Sequence, residues 1–196
     1  MSVVTRLSAR DFRPQPWKNG GGVTTELAVH PAQGRPLWRV SVAQVDRDGP
    51  FSDFSGYERT LLMLEGDGMV LSFDGAEPVR IDARYVPFTF DGALRCDCWL
   101  LGGPVRDMNL MVDREEARGT VEVLRARQPF ERRLRADWTL VHVLAGEARA
   151  RMGDVSYSLS SGDLLRIDGA SDVALSLDCD GRDPALAMLE VQRQRR

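Results

Sequence analysis

Apolar and polar residues alternate along most of this chain, and a period of two leaves room for little besides β-structure. In Leu37–Val45, Trp38, Val40 and Val42 share one face while Arg39 and Ser41 share the other. Thr60–Leu64 is a continuous apolar run ending at Glu65-Gly66-Asp67-Gly68, and Met69–Phe73 follows, closed by Asp74-Gly75. Val79, Ile81, Ala83 and Tyr85 also fall on alternate positions. Gly and Asp punctuate these runs at roughly 8–12-residue intervals, the spacing of a barrel or sandwich. The helical period does not persist, and only Val112–Ala117 is expected to form a short helix.

The pattern also repeats. The apolar run Thr60–Leu64 with Gly66 is echoed by Thr139–Leu144 with Gly146, each read as a strand closed by a glycine turn. Ile81–Val86 is echoed by Leu159–Ile167. A period of about 80 residues implies two tandem units of similar topology. The expected division is 1–118, carrying the ligand site, and 119–196, with Arg114–Arg127 as the connector.

Composition narrows the function classes. A net charge of −3 argues against nucleic acid as the main partner, because phosphate binding needs a basic face. The Arg-rich stretches Arg125–Arg135 and Gln192–Arg196 are outweighed by acidic residues elsewhere. Three cysteines without a CxxC spacing read as reduced thiols. Met1–Arg13 has no apolar signal core, and no stretch approaches the roughly 18 apolar residues of a membrane span. A cytoplasmic location and no membrane partner are therefore expected. An exposed sheet edge allows a homodimer, although no sequence feature selects one.

The segments Leu64–Gly75 and His142–Ile167 look like the strand-turn core of cupins. A closer match runs through Pro16–Gly22 with Thr25-Glu26, Trp38–Ser41, Asp48–Ser52, Arg59-Thr60, Leu64–Gly66, Pro87-Phe88 and Gly103–Asn109. Together these resemble the HutD/Ves family over nearly the whole chain, most strongly over Pro16–Met111. The resemblance implies an all-β, metal-free bicupin: two tandem cupin-like barrels with few short helices. It further implies a protein encoded with histidine-degradation enzymes that binds an acidic intermediate such as N-formylglutamate and moderates pathway expression, with no established reaction and no cofactor.

The residues themselves supply a candidate site. A cupin metal centre needs two or three histidines and a carboxylate on adjacent strands. His30 and His142 are the only histidines and fall in different halves, so no metal is expected. In Trp17-Lys18-Asn19-Gly20-Gly21-Gly22 the glycines permit positive φ and close backbone approach, and successive N–H groups can form an anion-binding nest. Lys18 adds a charge, Asn19 an amide and Trp17 an apolar wall. Valine at Gly21 should strain this loop if φ there is positive. Arg59 shares a strand face with Leu61 and Met63, so it either snorkels at the strand end or enters a pocket and grips an anion. Asp107 and Asn109 interrupt an apolar strand face. They either hold the Lys18 loop or touch ligand, and buried polar groups of this kind need hydrogen bonds. Glu26 is read as structural support, pairing with Lys18 or Arg59. Cys96 and Cys98 have no activating neighbour in sequence and read as core residues.

The ligand-binding set is thus Trp17, Lys18, Asn19, Gly20, Gly21, Arg59 and Asn109, supported by Glu26 and Asp107, with no catalytic residue assigned. A non-catalytic binding protein is the leading reading. A metal-free enzyme acting on a small amido dicarboxylate and a protein-interaction scaffold are the alternatives.

Overall fold

The computed structural model describes residues 2–18, 20–31, 33–125 and 129–194, apart from the side chain of Arg182. Among them are strands and turns but no helix. In chain order the strands are β1 (Val3–Leu7), β2 (Arg13–Pro16), β3 (Gly22–His30), β4 (Trp38–Val45), β5 (Gly49–Pro50), β6 (Tyr57–Glu65), β7 (Met69–Phe73), β8 (Val79–Ile81) and β9 (Pro87–Asp91). They continue with β10 (Cys96–Leu100), β11 (Val105–Asp113), β12 (Ala117–Leu124), β13 (Phe130–Leu134), β14 (Trp138–Met152), β15 (Val155–Ser160), β16 (Leu164–Asp168) and β17 (Val173–Arg193).

Two compact units divide the chain: Phe12–Arg118 in one, Met1–Asp11 with Gly119–Arg196 in the other. Residues 1–11 therefore do not belong with the first half, as the expected division 1–118 had them. The reason is long-range pairing: β1 runs antiparallel to β16, with Val3 opposite Asp168 and Leu7 opposite Leu164. The expected connector Arg114–Arg127 is largely strand β12, and 126–128 lie outside the described residues. No short helix spans Val112–Ala117. Instead Asp113 ends β11, and its Oδ1 accepts the Glu115 N–H at 3.0 Å in the turn to β12.

The Phe12–Arg118 unit holds two antiparallel sheets, ordered β2-β3-β4-β11-β6-β9 and β5-β10-β7-β8. Ala43, Val45, Leu61, Met63 and Val105 of the first form one core with Met69, Leu71, Phe73, Cys96 and Cys98 of the second. The alternation forecast along Val79–Tyr85 stops at Ile81, where β8 ends, and Tyr85 takes a left-handed φ of 65°.

In the other unit the order is β1-β16-β14-β17-β12, with β13 added to β17 and β15 to β14. Val141, Val143, Ala150, Leu165, Ile167, Leu175 and Leu177 are fully buried in its core. Gly146 does not close a strand as its counterpart Gly66 does. It sits inside β14 at φ +80°, where the β14–β17 register shifts around Ala145. A Cβ there would lie 2.6 Å from the Asp180 carbonyl oxygen, so glycine lets the long strand bulge and continue.

Candidate functional site

The Trp17–Gly22 segment is the tip of the β2–β3 hairpin, with Pro16 opposite Val23. The Trp17 N–H donates to the Gly22 carbonyl at 2.9 Å and the Gly20 N–H to the Trp17 carbonyl at 3.0 Å. The Gly20 amide is thus spent on closing the turn and is not offered to an anion nest. Gly20 has the left-handed φ, +67°, whereas Gly21 is not among the positive-φ glycines. Gly21 is buried, and its carbonyl accepts the Asp46 N–H at 2.9 Å. Asn19 lies outside the described residues.

Gly22 is a position that tolerates no side chain. A Cβ there would lie 2.1 Å from the Gln44 carbonyl oxygen and 3.3 Å from Trp17 Cε3. Gly22→Val will therefore destabilise the fold by about 3 kcal/mol or more, a drop in Tm on the order of 10 °C, because backbone has to move. Gly20→Ala will cost about 1–2 kcal/mol, since only its left-handed conformation is strained. Calorimetry of the two variants checks the ranking, and equal Tm values would refute it.

The hairpin tip forms one wall of a pocket of about 550 Å³. The Trp17 Nε1–H donates to Thr24 Oγ1 at 2.7 Å and holds the indole across the hairpin. Trp17 and exposed Lys18 line the pocket; Gly20 and Gly21 do not. The floor comes from the first sheet, whose alternation turns Arg39, Ser41 and Ala43 of β4, Arg59 of β6, and Asp107, Asn109 and Met111 of β11 to the same side.

Arg59 is 6% exposed. Its Nη2 donates to Asn109 Oδ1 at 2.9 Å, while its Nε has no hydrogen-bond partner among the described residues. The guanidinium carbon lies 5.3, 5.1 and 4.9 Å from the ring centres of Phe51, Phe54 and Phe90, within cation–π range. No carboxylate forms an ion pair with it among the described residues. Burial lowers its pKa, and the nearby Asp107 opposes that.

Asp107 is 1% exposed. Its Oδ1 accepts from Asn109 Nδ2, which links Asp107 to Arg59 through one amide. Its Oδ2 has no partner among the described residues. Burial raises its pKa from 3.8 to about 7, against the pull of Arg59. Near neutrality the pocket thus holds a fixed cation beside a carboxyl poised between its neutral and ionised forms.

Glu26 pairs with neither Lys18 nor Arg59. It accepts from Arg39 Nε at 2.8 Å, because β3 lies beside β4 and Glu26 sits opposite Ser41, two residues from Arg39. Arg39 is a pocket residue that the sequence reading did not select, although its placement with Ser41 on the polar face of β4 was the available signal. Phe51 and Phe54 were also missed; they sit between β5 and β6, where no periodicity marks them.

The histidines do not build a metal centre. His30 stacks on Trp38 at 6.0 Å, and His142 Nδ1 lies 3.0 Å from the Asp163 carbonyl oxygen in the other unit. Among the described residues no group of three or more His, Cys, Asp or Glu could hold a metal ion. The pocket floor presents arginines, an amide and one carboxyl where a metal cupin needs imidazoles, so the residues present do not fit a metal. Burial pushes the Cys96 and Cys98 thiols up to about 11 and about 12, which keeps both in the unreactive protonated form. Among the described residues no helix is long and apolar enough to cross a membrane.

Comparison with known proteins agrees with this architecture. A protein of Pseudomonas putida described as an uncharacterized 21.2 kDa protein in the hutC 3′ region is 34% identical over 187 residues, covering 93% of this chain and 95% of that protein. A conserved protein of unknown function from Pseudomonas aeruginosa PAO1 superposes with a TM-score of 0.90 at 30% identity, covering 97% of this chain and 99% of its own. HutD from Pseudomonas fluorescens SBW25, in a formate condition, superposes with a TM-score of 0.86 at 30% identity, covering 98% and 100%. The fold is all-β and cupin-like. The HutD family model matches residues 9–187, nearly the full length, and the chain belongs to the HutD family.

Proposed function

We propose that the pocket binds a small acidic metabolite carrying an amide, N-formylglutamate or a close amido dicarboxylate, and that binding without turnover moderates expression of the histidine-degradation pathway. The observation that carries this reading is Arg59. A guanidinium buried at the floor of a cavity, held by a neutral amide and three phenyl rings, makes no ion pair among the described residues, and burial keeps the neighbouring Asp107 carboxyl partly protonated, so that a full counter-anion is missing. A ligand carboxylate supplies that anion in a bidentate fork. Asn109, Ser41 and Thr24 offer neutral groups suited to a formamide. The hutC neighbourhood of the P. putida relative supports the choice of pathway.

A thermal-shift titration with N-formylglutamate, glutamate, urocanate and formate tests the reading. At a hundredfold above Kd the bound ligand adds about 2.7 kcal/mol, a rise of roughly 5–10 °C in a chain of this size. N-formylglutamate is expected to give that shift. Glutamate, whose free ammonium meets a cationic pocket, is expected to give little. No shift with any of the four would overturn the assignment.

A second reading draws on Asp107. A carboxyl that titrates near neutrality inside a pocket has the range a general acid or base needs. Formate or glutamate accumulating during overnight incubation with N-formylglutamate, and absent with Asp107→Asn, would establish an enzyme in place of a binding protein.

A further inference from the structure

We propose that Arg39 is a second carboxylate anchor, so that the pocket selects ligands with an acid group at each end of a short carbon chain. This rests on the acid-binding reading above and adds a requirement for two charges at a set separation. The geometry comes from strand register. Met111 lies opposite Arg39 of β4 on one side and opposite Arg59 of β6 on the other. The two arginines therefore stand two strand spacings apart, about 10 Å between backbones. All three side chains line the same cavity. Two guanidiniums thus flank a thioether, and the methylenes of a dicarboxylate can lie over Met111 while its ends meet the two cations.

Glu26 does not exhaust Arg39. It takes the Nε edge at 2.8 Å, and no other hydrogen bond is made by this guanidinium among the described residues. Glu26 itself is not a pocket wall. It orients Arg39 much as Asn109 and the phenyl rings orient Arg59. One row along the same sheet, Ser41 stands opposite Asn109 and places neutral hydrogen-bonding groups beside the anchors. A monocarboxylate can satisfy one arginine only, and a dicarboxylate satisfies both.

Isothermal titration of wild type and Arg39→Gln with glutarate, glutaramate and N-formylglutamate tests the clamp. Glutaramate keeps the carbon chain and replaces one acid by a carboxamide. Wild type should prefer glutarate over glutaramate by at least about tenfold, the value of one charged hydrogen-bonding contact. Arg39→Gln should erase that preference by weakening glutarate while leaving glutaramate near its wild-type affinity. The double variant Glu26→Gln/Arg39→Gln, which leaves no carboxylate unpaired, should behave in the same way. Equal losses for both ligands, or unchanged glutarate binding, would overturn the clamp. N-formylglutamate binding indifferent to Arg39 would overturn the clamp and leave the acid-binding reading standing. Arg39-dependent glutarate binding without N-formylglutamate binding would support the clamp and overturn the choice of ligand. Failure of wild type to bind either dicarboxylate would overturn both.

Discussion

Arg59→Ala will weaken N-formylglutamate binding by at least about 30-fold, roughly 2 kcal/mol or more. Truncating a buried partner of a charged ligand costs this much because the carboxylate stays desolvated and unpaired. The fold itself does not depend on the charge: Arg59 makes no ion pair among the described residues, its Nε has no partner, and burial already works against its ionised form. Removing it leaves the Asn109 carbonyl without its donor and gives up the contacts with Phe51, Phe54 and Phe90, so stability is measured alongside binding. Arg59→Lys should fall between, since an ammonium keeps the charge but loses the planar fork and its stacking on the phenyl rings. Lys18 is exposed at the rim, so Lys18→Ala should cost about 1 kcal/mol or less and the loss should shrink as salt is added. Calorimetric titration of the three variants gives the order directly. Wild-type affinity in Arg59→Ala would remove the pocket floor from the binding site.

The residues that were legible in sequence are those whose environment is set along the strand. Arg59 beside Leu61 and Met63, and Asp107 and Asn109 within an apolar run, violate the alternation around them, and a violation in phase with core residues marks an inward-facing polar group. Sheet architecture followed from the same alternation. Features set across strands were not legible. Which glycine matters in Gly20–Gly22 depends on the Gln44 carbonyl on β4. Glu26 finds Arg39 through the β3–β4 register, not through any spacing along the chain. Phe51 and Phe54 enclose Arg59 from a loop. β1 joins the distant unit because its partner β16 lies near the other end of the chain, and Met1–Arg13 carries no local sign of that pairing.

Asp107→Asn will stabilise the protein at pH 8 by several kcal/mol and leave it almost unchanged at pH 4. The carboxyl has an ordinary value of 3.8 in the unfolded chain and about 7 in the folded one, with desolvation the main cause and Arg59 opposing it. Between those pH values the folded protein holds a proton that the unfolded chain has released. Raising the pH through this window therefore favours unfolding, and the contribution of Asp107 is lost progressively from about pH 4 to about pH 7, then levels off. A shift of this size amounts to roughly 4 kcal/mol by linkage. Asparagine reproduces the neutral acid: its oxygen accepts from Asn109 Nδ2 as Asp107 Oδ1 does, and it carries no charge to desolvate. Other titrating groups change the absolute profile but cancel in the difference between variant and wild type. Denaturant unfolding of both proteins from pH 4 to pH 8 isolates that difference, which should grow with pH and reach its plateau just above neutrality. A difference that stays constant across the range would mean that Asp107 ionises like an ordinary carboxylate. The pocket would then hold a permanent negative charge beside Arg59, which counts against the proposed acid-binding role of that arginine.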